Sequence, residues 1–120
     1  MHELSIALSL VDAACEKAAA LGGVRVDAVF VRIGPLSGVV KDALAFCFDG
    51  AARGTAIDGA RLEIAEAPLV AFCPRCMDER PLPSPQHLRC PVCDTPVGEV
   101  VGGRELELTA LEVTDGAAHR

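Results

Sequence analysis

Two short cysteine motifs, Cys73-Pro-Arg-Cys76 and Cys90-Pro-Val-Cys93, stand thirteen residues apart and limit this chain more than any other stretch. Each Cys-Pro-x-Cys turn can aim two thiolates at one point, and the loop between is long enough to bring the turns together. The spacing therefore predicts a tetrahedral site of four sulfurs for zinc. Iron-sulfur chemistry would want a third cysteine close to one pair, and there is none. Two disulfides, or four unrelated core thiols, are the competing readings, and the doubled knuckle argues against both. With four protein ligands no position is left for water or substrate, so the Zn(II) held by Cys73, Cys76, Cys90 and Cys93 is expected to be structural.

The other two of the six cysteines, Cys15 and Cys47, lie in apolar segments and read as small core residues of a reducing compartment. No apolar run is long enough to cross a bilayer, and the start lacks the basic residues and cleavage site of a signal peptide. A cytoplasmic protein with no membrane partner is expected. The length of 120 residues suits one domain, or one domain with a small appendage. Its core must be built from Ala, Val, Leu and Ile, because only 3% of the residues are aromatic. A net charge of −6 argues against nucleic-acid binding, which requires a basic footprint. Near the knuckles, Arg75, Arg80 and Arg89 are answered by Asp78, Glu79, Asp94 and Glu99.

Upstream, the apolar pattern switches between helix and strand. Leu4, Leu8, Val11, Cys15 and Ala18 recur at helical spacing opposite Ser5, Ser9, Asp12 and Glu16, which predicts an amphipathic helix over residues 4–21 stopped by Gly22-Gly23. Val24 to Ile33 predicts a strand, and the unbroken Val29-Phe30-Val31 places it centrally in a sheet. After a turn at Gly34-Pro35-Leu36-Ser37-Gly38, a stripe of Val40, Ala43, Leu44, Cys47, Phe48 and Ala51 marks a second helix to Ala52. Ala60 to Ala65 sets Leu62 and Ile64 against Arg61 and Glu63, the alternation of a half-buried strand, and Glu105 to Val113 repeats it through Leu106 and Leu108. Pro81, Pro83 and Pro85 are expected to keep the zinc loop out of any sheet. Residues 115–120 read as a frayed end.

The predicted class is α+β: a three-stranded sheet covered by two helices, with an inserted zinc-ribbon-like module. Residues 1–67 with 104–114 make the body, and 68–103 make the zinc module. Because the second and third strands flank that module in sequence, the simplest topology pairs them in one sheet.

Catalytic constellations are missing. The three histidines have no nucleophile beside them, and the glycines form neither a dinucleotide fingerprint nor a phosphate loop. Glu63, Glu105 and Glu107 sit at alternating strand positions, which a solvated sheet face explains without an acid/base pair. No enzyme is expected. The start, Met1-His2-Glu3, is unusual: a histidine in second place puts an imidazole within chelating reach of the α-amine and its own amide, a nitrogen-rich set that copper(II) and nickel(II) accept. On composition alone such a histidine is more often a chain end without function.

In order, Met1-His2-Glu3-Leu4-Ser5, Ile33-Gly34-Pro35-Leu36-Ser37-Gly38, the Leu44 to Phe48 helix, Ala60 to Ile64, both Cys-Pro-x-Cys knuckles and Gly103 to Val113 resemble the hydrogenase nickel-incorporation proteins HypA and HybF. The resemblance covers nearly the whole chain. It implies a nickel metallochaperone with Ni(II) as cargo and Zn(II) as structural metal. Such a protein delivers nickel to the large subunit of nickel-iron hydrogenase with a HypB-like GTPase, and in some bacteria it also serves urease. It implies a nickel site on His2, with the Met1 amine, the His2 amide and the Glu3 backbone as neighbours, and zinc on the four cysteines. Members of that family are monomers or homodimers. Val39 and Val40 stand where many members carry an acidic residue, so no carboxylate is offered at those two positions.

Two rival classes fit parts of the chain. A zinc-ribbon protein-interaction or transcription accessory module would use the knuckles alone and bind no nickel. A metal-dependent hydrolase around His2 would need further ligands converging on an open position, and no spacing recruits His87 or His119.

Overall fold

The structure, a computed structural model, describes residues 2–114. Met1, His119 and the expected frayed end at 115–120 lie outside the described residues. These divide into two compact units, residues 2–31, 39–65 and 108–114 in the first and 32–38 and 66–107 in the second.

The first unit opens with helix α1 (His2–Ala20), which buries Ala7, Leu10, Val11, Ala14 and Ala18 at helical spacing. This stripe is rotated from the expected one. Val11 and Ala18 belong to both, but Leu4 and Leu8 remain 41% and 48% exposed. The helix is so apolar that more than one face satisfies the periodicity, and the alanine-rich face can approach its neighbours most closely. Its C-terminus closes as a Schellman motif, with Gly23 N–H donating to Ala18 O (2.9 Å) and Gly22 N–H to Ala19 O (3.1 Å). Gly22 has the positive φ this requires (93°).

Helix α2 (Lys41–Ala52) packs against α1 and buries Leu44, Phe48 and Ala52. Phe46 faces the other way and, with Leu4 and Leu8, lines an open apolar groove. Strand β1 (Arg25–Ile33) is central in a sheet of order β2-β1-β6, where β2 is Arg61–Glu66 and β6 is Leu106–Thr114. The strands around the cysteine module thus share a sheet, but β1 lies between them. β1 has five buried apolar residues, Val26, Ala28, Val29, Val31 and Ile33, and so takes the place with neighbours on both sides.

The second unit holds a sheet the sequence reading did not expect, of order β4-β3-β5, with β3 at Leu69–Cys73, β4 at Asp78–Leu82 and β5 at Val100–Gly102. Pro81 lies inside β4, opposite Val70, so the prolines do not exclude the zinc loop from a sheet. The reason is position: β4 is an edge strand, where half the amides point away from any partner and a missing N–H costs little. Leu69, Ala71 and Leu82 form a small core, flanked by Leu36, Val97 and Val100. The 34–38 turn is sewn into the same unit, with Gly34 N–H donating to Glu105 O (2.9 Å) and Leu36 N–H to Gly103 O (2.7 Å). A Cβ on Gly34 would stand 2.2 Å from the Gly103 oxygen, so glycine is required here by close backbone approach. Among the described residues no helix is long and apolar enough to cross a membrane.

Candidate metal centre

The two cysteine motifs fold into the same knuckle. In each, the amide after the second cysteine reaches back to the first: Met77 N–H donates to Cys73 O, and Asp94 N–H to Cys90 O, both at 2.8 Å. Met77 (φ 56°) and Asp94 (φ 62°) are the only described non-glycine residues with positive φ, and they occupy equivalent places. Amides inside each turn point at sulfur, Cys76 N–H to Cys73 Sγ (3.3 Å) and Val92 N–H to Cys90 Sγ (3.4 Å). These donors suit thiolates.

The knuckles bring all four sulfurs within 4.8 Å of one another, with Cys73–Cys93 at 3.5 Å and Cys76–Cys90 at 3.9 Å. A tetrahedron with zinc–sulfur bonds of about 2.3 Å has sulfur–sulfur edges of about 3.8 Å. The cluster therefore fits a structural zinc ion by geometry and by donor type. All six cysteines of the chain are free, and Cys73 and Cys90 are buried.

The surroundings divide the four thiols. The Thr95 hydroxyl, 3.2 Å from Cys93 Sγ, and then the Thr95 amide hold the Cys93 thiol down at about 6. Burial pulls Cys90 upward, but the Cys93 and Val92 amides outweigh it and the thiol is lowered. The largest influence on Cys76 is the Arg80 guanidinium, which lowers it; the Cys93, Cys73 and Cys90 thiols together with burial prevail and push it up to about 11. Thr95 and Arg80 were not singled out by sequence reasoning. A hydroxyl two residues past the last cysteine was a usable signal for Thr95, whereas nothing in the sequence separates Arg80 from Arg75 or Arg89.

At the other candidate site, His2 and Glu3 are the first residues of α1. The His2 imidazole is 59% exposed, and its Nδ1 lies 3.5 Å from the Glu3 carboxylate. That carboxylate also accepts the Val40 N–H at 3.1 Å. Met1, expected beside them, lies outside the described residues. His87 is exposed, as its loop position implied.

Fold and cysteine cluster together define a small α+β metal-binding protein carrying a zinc-ribbon-like module. Residues 1–113 match the family described as "Hydrogenase/urease nickel incorporation, metallochaperone, hypA". A Chloroflexus aurantiacus protein named hydrogenase maturation factor HypA is 55% identical over 112 residues, covering 93% of this chain and 98% of that one. A Roseiflexus protein of the same name is 52% identical over 115 residues, covering 96% and 94%. Among solved structures, the Ni metallochaperone HypA from Helicobacter pylori matches in fold with a TM-score of 0.64 at 24% identity, over 94% of this chain and 97% of that one. The chain belongs to the HypA family of nickel-incorporation metallochaperones, a family of maturation factors.

Proposed function

We infer that this chain carries nickel for hydrogenase maturation, binding it at Met1, His2 and Glu3, while Cys73, Cys76, Cys90 and Cys93 hold a structural zinc. Family membership across residues 1–113 carries the reading. Local chemistry supports the nickel site. The first amides of a helix have no intrahelical acceptor, so a metal can replace the amide protons of His2 or Glu3 without breaking a helical hydrogen bond. The Glu3 carboxylate also offsets the positive end of the helix dipole, which would otherwise repel a cation. Nickel(II) accepts such a nitrogen-rich, tetragonal set, with the Met1 amine and the His2 imidazole completing it. Zinc, held by four sulfurs, cross-links the knuckles and has no open position for chemistry.

On this reading residues 1–67 with 104–114 are the nickel-binding body and 68–103 the zinc module. The protein works in the cytoplasm without catalysis, alone or as a homodimer, with a HypB-like GTPase and the hydrogenase large subunit as partners. The test is nickel titration of protein beginning at Met1 against protein with one residue added before it. The extension moves the amine out of chelating reach and should weaken binding roughly tenfold or more. Equal affinities would overturn the site.

A further inference from the structure

Arg80 is placed where a surface charge has little reason to be. It lies in β4, and the antiparallel register sets Cys73 opposite Asp78 and Ala71 opposite Arg80. Directly opposed residues of an antiparallel pair project to the same face, so the Arg80 side chain leaves the sheet on the face that carries Cys73 Sγ. Only 25% of that side chain is exposed, against 65% for its carboxylate partner Asp78, to which Nη1 donates at 3.3 Å. Its Nε is buried and is the one buried side-chain nitrogen or oxygen among the described residues without a hydrogen-bond partner. The thiols of Cys76 and Cys90, Cys76 first, are the other neighbours of the guanidinium.

A buried N–H without an acceptor is rare in folded proteins and points to something the side chain is built to meet. A metal centre of four thiolates and one divalent ion is a dianion, and a buried dianion needs donors or cations around it. We propose that Arg80 is a positioning residue of the four-sulfur centre, donating its guanidinium N–H groups to the metal-bound thiolates of Cys76 and Cys90 and holding the metal against loss. The proposal rests on the zinc reading above. Hydrogen bonds from Arg80 draw electron density from sulfur, so the thiolates become poorer targets for protons and alkylating agents while their orientation toward the metal is fixed. Lysine at this place would keep the charge but not the planar fork that can serve two sulfurs at once.

The experiment compares full-length wild type, Arg80→Gln and Arg80→Lys. Zinc content by atomic spectroscopy comes first, and one zinc per wild-type chain is the expected result; a wild type without zinc would overturn the zinc reading and this proposal together. Zinc transfer to an excess of a chromophoric chelator then reads the role of Arg80. Loss of an outer hydrogen-bonding partner typically weakens metal binding by about 10–100-fold, and Arg80→Gln should fall in that range with Arg80→Lys between it and wild type. In cobalt(II)-substituted protein the thiolate-to-cobalt charge-transfer band should move to lower energy in Arg80→Gln, because its sulfurs have lost donors. A role in packing alone would leave that band in place. Identical zinc affinity and an unshifted band in Arg80→Gln would overturn the proposal. If Arg80→Gln holds too little metal to be read, the band in Arg80→Lys decides, and a wild-type band there would overturn it equally.

Discussion

The carboxylate of Glu3 accepts the backbone N–H of Val40 at 3.1 Å, tying the first turn of α1 to the residue at the N-terminal boundary of α2. Val40 is the N-cap of α2 and has no side-chain oxygen to cap with. In a capping box the glutamate that protects the N-cap amide comes from three residues further along the same helix. Here it comes from a different helix. A carboxylate from position 3 thus takes the place of that glutamate.

The Glu3 bond has a pH signature. The Val40 amide is the largest influence holding the Glu3 carboxyl below its ordinary value of 4.5. A carboxylate whose folded pKa is depressed contributes stability that is fully present above its unfolded value and is lost as pH falls through the folded one. The Val40 amide resonance should therefore titrate with a midpoint below 4.5, and the start of α2 should loosen as it does. In Glu3→Ala the Val40 amide should exchange faster with solvent at neutral pH, where Asp12→Ala should not affect it. A Val40 resonance that ignores the carboxyl titration would remove Glu3 from this role.

Zinc is expected to hold the knuckles and little else. Structural zinc is worth about 10–16 kcal/mol in small zinc-finger peptides at neutral pH, far beyond what a core of Leu69, Ala71 and Leu82 supplies. Cys90→Ser, or a strong chelator, should release the metal and disorder residues near 73–93. The helical signal should persist, because Leu44, Phe48, Ile57, Val29 and Val31 are fully buried elsewhere. One zinc per chain retained in Cys90→Ser would refute the ligand assignment.

Two phenylalanines two residues apart should behave oppositely. Phe48 is 1% exposed and Phe46 is 82% exposed. Emptying the Phe48 site leaves a cavity, and Phe48→Ala should cost about 3–5 kcal/mol in urea unfolding. Phe46→Ala should stay within about 0.5 kcal/mol, since it removes little buried area. Similar losses for both would mean that the α2 face is assigned wrongly.

Much of this was legible because local chemistry decided it. The doubled Cys-Pro-x-Cys spacing foretold four converging sulfurs, and the glycines after α1 foretold a helix end closed by positive φ. Val29-Phe30-Val31 foretold a central strand, and β1 does lie between β2 and β6, with Val29 and Val31 buried. Where tertiary context chose among locally equal options, the sequence was silent. Leu4 and Leu8 satisfy helical spacing as well as Ala7 and Ala14 do, and only packing selects the alanines. Pro81 reads as a strand breaker until β4 is known to be an edge. Glu3 and Val40 are 37 residues apart, and no periodicity connects them.

On the proposed reading, His2 is the residue on which nickel binding turns. In His2→Ala the amine and amide nitrogens remain, but the set loses its imidazole, the one side-chain nitrogen among them. Since tenfold in affinity is only about 1.4 kcal/mol, a small part of a metal–ligand bond, nickel binding should weaken on the order of 100-fold or more. In the wild type, affinity should also fall as pH drops, because imidazole and amine must both be unprotonated to ligate. Zinc content should not change, since that metal has four sulfur ligands of its own. In cells His2→Ala should fold, keep its zinc and leave hydrogenase inactive, with activity partly restored by added nickel. A zinc-ribbon adaptor with an idle N-terminus expects none of this. Equal nickel affinity in wild type and His2→Ala, both beginning at Met1, would discard the nickel site and leave that adaptor as the better account.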